Sequence, residues 1–262
     1  MKRRAFLQTA TITGLGANIL NQPAGAAEPA AERREIYELR VYTLKPARKP
    51  ILDEYLSKAF IPALRRIGIG PVGVFTENLT PESIALYVLT VLKTAGECIT
   101  YPNRLAADEE YQKAAAEYLN APASDPVYDR IESFLHQAIA AIPKLEKPDT
   151  SKARLLNLRI YESHNERAAK KKVEMFNLHE MPIFRRVGLT PVMFGETIVG
   201  SKMPNLTYLL VFPDDAERVA AWKRFGGDDD WKKLKAIPEY ADKEIVSHIT
   251  DKILSPEAYS EI

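Results

Sequence analysis

The chain has 262 residues, 46% hydrophobic and 27% charged, with a formal net charge of +1. That balance describes a globular chain with room for one or two cores. It excludes a nucleic-acid binder, which would need a marked basic excess. One cysteine, Cys98, excludes an intrachain disulfide, so packing alone must stabilise the fold.

Residues 1–26 read as an export segment. Arg3-Arg4-Ala5-Phe6-Leu7 precedes a mildly apolar run from Thr9 to Leu20, and Ala24-Gly25-Ala26 follows. This order of basic, apolar and small-residue parts is what the twin-arginine route and its peptidase read. Cleavage after Ala26 would remove Lys2, Arg3 and Arg4 and take the formal charge from +1 to −2. The expected location is periplasmic or secreted, with no transmembrane span in the mature chain.

Beyond a polar spacer the chain repeats itself. Leu39-Arg40-Val41-Tyr42 returns as Leu158-Arg159-Ile160-Tyr161, and the Pro62–Val72 segment returns as Pro182–Val192 with its two arginines, glycine and proline in place. Tyr87 and Tyr208 extend the match with a slightly larger offset. Two copies of one folded unit follow, spanning 35–142 and 153–258, joined by a polar linker over 143–152.

In the first copy a strand is expected over 35–43, then a helix over 47–67 from its apolar stripe, with Pro62 kinking it and Gly68 ending it. Strands over 71–77 and 83–93 follow. Thr94 and Glu97 form a capping box for a helical region to Leu119, and a strand over Val127–Leu135 with a short helical end is expected. The second copy repeats the order, with a helix over 166–187, a cap at Asp214 and a last strand over 245–254. Lys170-Lys171-Lys172 reads as a solvated helix face. The β-α-β-β-α-β order is α+β and ferredoxin-like, and two such units packed sheet to sheet make an intrachain α/β barrel.

Strand alternation suggests that Leu39 and Val41 meet the helices, so that Arg40, Tyr42, Arg159 and Tyr161 face the space between the sheets. An interior guanidinium needs a carboxylate, water or an anionic ligand. Two readings stay open: internal salt bridges, with Glu38 or Glu162 as partners, or a polar cavity holding a small acidic or carbonyl-bearing molecule. His179 and His248 are further candidates for lining it, as general bases. His179-Glu180 lacks the second histidine of a zinc-protease motif, and Asp228-Asp229-Asp230 lacks a calcium loop, so no metal is expected. Arg65-Arg66 and Arg185-Arg186 suit helix C-termini.

The opening Tyr37-Glu38-Leu39-Arg40-Val41-Tyr42-Thr43-Leu44, the Pro62–Val72 segment and the terminal Leu254-Ser255-Pro256-Glu257-Ala258-Tyr259-Ser260 together resemble the NIPSNAP family. The resemblance covers both copies and implies the dimeric α/β barrel superfamily, whose members include cofactor-independent monooxygenases, haem-degrading enzymes and small-ligand binders. It brings no assigned catalytic residue. No cofactor is expected; haem stays open, with His179 or His248 as axial candidates by elimination. The expected function is an exported barrel that binds, and could transform, a small organic ligand between its sheets. The alternative is a noncatalytic interaction module with a packed barrel. Internal duplication makes a monomer credible beside a homo-oligomer.

Overall fold

A computed structural model describes residues 33–262; the export segment and its cleavage site lie outside them. The first half runs β1 (Ile36–Leu44), α1 (Lys49–Glu54), α2 (Ile61–Arg66), β2 (Val72–Thr80), β3 (Ser83–Leu92), α3 (Ala95–Ala106), α4 (Glu109–Ala114), α5 (Ala116–Leu119) and β4 (Arg130–Ala138). The second half runs β5 (Leu155–Glu162), α6 (Glu166–Met175), α7 (Met181–Val187), β6 (Thr190–Val199), β7 (Asn205–Phe212), α8 (Asp215–Gly227), α9 (Asp229–Ala236), α10 (Asp242–Ile245) and β8 (His248–Pro256).

All eight strands form one closed antiparallel barrel in the order β1-β3-β2-β8-β5-β7-β6-β4. Each half supplies a four-stranded ferredoxin-like sheet, and the sheets join edge to edge. One seam is β4 against β6, over Leu135 to Ala138. The other, β2 against β8, is shorter, with Phe75 opposite Pro256 and Thr76 opposite Ser255. Closure removes the free edges that open sheets expose.

Between α1 and α2 the chain continues without a break through a π-helical turn over Tyr55–Phe60, and α6 joins α7 through another over Phe176–Glu180. Each turn lies just ahead of Pro62 or Pro182. In the first, the Ile61 N–H bonds back five residues to the Leu56 carbonyl, a wider turn that absorbs the donor proline lacks. Gly68 and Gly188, at φ 75° and 86°, then end the rods. In both halves the residue after the glycine bonds back to a carbonyl in the last turn, Ile69 to Leu64 and Leu189 to Phe184, each at 2.9 Å. Such a closure needs a left-handed residue, which glycine adopts without steric cost.

Three apolar clusters result. Two lie between the helices and the outer face of the barrel, one per half; the third fills the barrel's interior. Among the described residues no helix is long and apolar enough to cross a membrane.

Four sequence expectations need correction. The strand expected from Val127 begins at Arg130, runs to Ala138 and has no helical end, because its last residues pair with β6. The last strand starts at His248, since Ile245 ends α10. Lys172 is not solvated: it is 1% exposed, held by the Glu180 carboxylate at 2.9 Å. Tyr87 is not the counterpart of Tyr208. Register sets Tyr87 opposite Val41 and Tyr208 opposite Arg159, so Thr207 is the equivalent of Tyr87, and a one-residue slip changes the face.

Candidate functional site

Strand alternation is obeyed, but with the opposite hand to the sequence reading. Leu39 and Leu158 point into the barrel, whereas Tyr42 and Tyr161 belong to the helix-side clusters. An eight-stranded barrel has an interior just wide enough for side chains to fill, and the aliphatic residues fill it. The polar set goes under the helices, where partners exist.

Arg40 Nε donates to Glu38 Oε1 at 2.7 Å, and its guanidinium also bonds the Tyr101 hydroxyl. Glu38, 2% exposed, takes further bonds from Tyr101 at 2.6 Å and Ser133 at 3.0 Å. Arg159 lies 4.2 Å from the centre of the Trp222 ring and pairs with Asp251 at 3.3 Å, not with Glu162. Tyr42 packs edge-on to Tyr128, and Tyr161 edge-on to Tyr208. The salt-bridge reading therefore holds for Arg40 with Glu38; Arg159 pairs with a partly exposed Asp251 and keeps an unpartnered Nε, and none of these four lines the barrel cavity. His179 and His248 are exposed; His179 sits on the π-turn against Tyr240, and His248 opens β8 opposite Glu162. Neither reaches the cavity. Among the described residues no group of three or more His, Cys, Asp or Glu could hold a metal.

The cavity occupies one end of the barrel and measures about 270 Å³. Leu39 and Leu158 form its floor; beneath them the space shrinks to about 10 Å³ among Phe75, Leu89, Met193, Leu209 and Leu254. Its walls are aliphatic and aromatic with two polar regions, one of them contributed by His136 on β4, Thr197 on β6, and Asn205 and Thr207 on β7.

This cluster is a directed chain of hydrogen bonds. Asn205 Nδ2 donates to the carbonyls of Ser201 at 3.2 Å and Lys202 at 3.0 Å, which turns Oδ1 toward the two threonines. Oδ1 accepts from Thr197 at 2.6 Å and Thr207 at 3.0 Å. The Thr197 proton is thereby committed. At 2.8 Å from His136 Nδ1 the Thr197 oxygen must accept, so the imidazole carries its proton on Nδ1. His136 Nε2 is left as a bare lone pair with no hydrogen-bond partner, on a residue 2% exposed. Burial keeps the ring neutral, pushing its pKa down to about 4.

Opposite stands a charged cluster. Lys252 Nζ bonds both carboxylate oxygens of Glu77, at 2.9 and 2.7 Å, and the Tyr87 hydroxyl donates to the same carboxylate at 2.6 Å. Burial and Glu77 raise the Tyr87 pKa, keeping that hydroxyl protonated. Lys252 and Tyr87 line the cavity; Glu132 lies at its rim.

His136 was missed in the sequence because the expected strand stopped at Leu135 and a helical end was placed beyond it. The available signal was the alternation Glu132, Phe134, His136, which carries one face of a longer β4.

A closed α/β barrel with a one-ended, partly polar cavity is the class these features define. Residues 156–261 match the NIPSNAP family model, placing a NIPSNAP domain in the second half of the chain. No curated protein matches. Among solved structures, a provisionally named monooxygenase from Lactobacillus acidophilus NCFM superposes with a TM-score of 0.57 at 12% identity, covering 85% of this chain and 94% of that one. A similarly named protein from Fusobacterium nucleatum gives 0.54 at 9% identity, covering 86% and 93%. An anthrone oxidase-like protein gives 0.50 at 9% identity, covering 88% and 97%. At such identities these likenesses establish the shared barrel.

Proposed function

We propose that the barrel binds one small, partly apolar organic molecule carrying an O–H or N–H donor, which His136 Nε2 receives. The observation that carries this reading is the buried Nε2 lone pair, unpaired on a residue that lines the cavity. An unmade buried hydrogen bond costs roughly 1–3 kcal/mol; Nε2 itself is covered, and a donor ligand recovers the bond by shifting a neighbouring wall side chain. The cavity of about 270 Å³ lies just below the ~300–1,000 Å³ range of drug-sized pockets, which suits a single-ring molecule. A cavity of this volume supports the ligand-binding reading over the packed-barrel alternative.

The monooxygenase names of the structural neighbours raise the question of chemistry. An imidazole with a pKa near 4 accepts a hydrogen bond far better than it removes a proton at neutral pH, so binding comes first in this reading and transformation second. Export by the twin-arginine route belongs to the same proposal, resting on residues 3–26. N-terminal sequencing of periplasmic protein tests it: a start at Ala27 supports export, and an intact Met1 in the cytoplasm opposes it.

Fluorine NMR with para-fluorophenol and para-fluoroanisole tests the binding. The phenol resonance is expected to shift and broaden with the wild type and much less with His136→Leu, while the anisole, lacking a donor, responds weakly to both. Equal response of the two probes, or none from the phenol at millimolar protein, would overturn the reading.

A further inference from the structure

The two seams of the barrel are built on one plan and carry different chemistry. Tyr37 faces His136 across β1 and β4, and its counterpart Leu156 faces Leu254 across β5 and β8. Leu39 faces Phe134, and Leu158 faces Lys252. Thr43 faces Ala85, and Glu162 faces Asn205. Position by position, His136, Phe134, Asn205 and Thr207 on one wall correspond to Leu254, Lys252, Ala85 and Tyr87 on the other. Thr197 corresponds to Glu77, the next residue along the β2–β8 ladder.

We infer that the Lys252–Tyr87 wall is a second subsite, selective for a neutral hydrogen-bond acceptor, so that the ligand is bifunctional: a donor at one end for His136 and a carbonyl-type oxygen at the other for Lys252. The inference rests on the cavity being the binding site, as proposed above. Three observations set its chemistry. An ammonium has three protons, and Glu77 engages two of them at 2.9 and 2.7 Å. Lys252 therefore keeps one donor while facing the cavity.

The charge of Lys252 is already balanced by Glu77, and Glu132 stands at the rim, so a carboxylate gains no net attraction there. A carbonyl oxygen takes the remaining N–H without adding charge. Lys202, the other cavity-lining lysine, is engaged by the Thr250 hydroxyl at 2.8 Å and has Glu162 at 3.8 Å. Lys202 is 44% exposed and follows Ser201 in the link from β6 to β7, whereas Lys252 is 27% exposed on β8, so Lys252 is the donor this wall presents. Because His136 Nε2 accepts and Lys252 donates, the ligand has one favoured orientation, with its two groups on opposite sides of its ring.

Isothermal titration with phenol and para-hydroxyacetophenone reads this directly; an aryl ketone condenses with a lysine far less readily than an aldehyde. In the wild type the hydroxyketone is expected to bind about tenfold more tightly than phenol, the gain from one hydrogen bond to a charged donor. In a Lys252→Met, Glu77→Gln double variant, which removes both charges together and leaves a partner for Tyr87, the ratio should fall to near one. In His136→Leu both phenolic ligands should weaken. A wild-type ratio near one, or a tenfold ratio that survives the double variant, would overturn the second subsite while leaving the cavity reading intact. Failure of phenol itself to bind would overturn the cavity reading, and this inference with it.

Discussion

His136 on β4 and Leu254 on β8 occupy the same register position in the two halves of one barrel, opposite Tyr37 and Leu156 respectively. The same frame thus accepts leucine on one seam and presents an unpaired imidazole nitrogen on the other.

His136→Leu is therefore expected to fold. The substitution removes a buried lone pair that nothing satisfies, and leucine already suits the equivalent site. Urea denaturation at neutral pH should place its stability within about 1.5 kcal/mol of wild type, the range of tolerated core exchanges. Affinity for a phenolic donor should fall about tenfold or more. Loss of fold would show that the imidazole is structural.

Stability should also depend on pH through this residue. Its folded pKa, near 4, lies below the unfolded value of 6.5, so on acidification the unfolded chain takes up a proton that the native state refuses. The contribution is fully present above about pH 6.5 and is lost as pH falls through about 4, a total on the order of 3 kcal/mol. Comparing urea midpoints of wild type and His136→Leu across that window isolates the effect: the variant should show the shallower decline. Phenol binding by the wild type should hold to about pH 5 and fail below about pH 4, as Nε2 becomes protonated.

The second half buries an ion pair where the first half is apolar. Lys172 and Glu180, with side chains 2% and 1% exposed, stand at the positions of Leu52 and Phe60, 0% and 2% exposed. The Lys172 ammonium lies 4.7 Å from the centre of the Phe176 ring, and burial raises the Glu180 pKa. Removing one partner strands the other, so Lys172→Leu alone should cost about 3–5 kcal/mol. The double variant Lys172→Leu, Glu180→Phe, which restores the apolar pairing of the first half, should match or exceed wild type by up to about 4 kcal/mol. Urea denaturation of the three proteins decides this. A double variant as unstable as the single would show that the pair is irreplaceable in its pocket.

Gly195 sits on β6 beside the site. A Cβ there would meet His136 Cβ at 2.7 Å and Tyr37 Cδ2 at 3.5 Å. The first contact involves an atom fixed to backbone, so Gly195→Ala must displace β4 from β6. A cost of about 1–3 kcal/mol is expected, with weaker phenol binding because the His136–Thr197 bond shifts. Thermal denaturation and the fluorine titration check both; unchanged binding would mean that the position of His136 is not critical.

Much of the architecture was legible in the sequence because local rules agreed between the two halves. The Pro62–Val72 and Pro182–Val192 segments announced equivalent helix ends, and Asp214 and Asp228 cap α8 and α9 as capping chemistry demands. The site was not legible, for one physical reason. Alternation assigns two faces to a strand but does not say which is inside, and the intuition that aliphatic side chains meet helices failed here. Glu38 and Tyr101 satisfy Arg40 beneath the helices, with Ser133 holding Glu38, so the narrow interior could take Leu39 and Leu158. His136 then depended on where β4 ended, and a strand stopped one residue short hides the residue that matters.

Proton–nitrogen correlation NMR of the His136 ring at neutral pH, with and without saturating para-fluorophenol, tests the central claim most directly. The account predicts a neutral imidazole protonated on Nδ1, with Nε2 changing shift when the phenol binds. A ring protonated on Nε2, or an Nε2 resonance indifferent to the phenol, would contradict it.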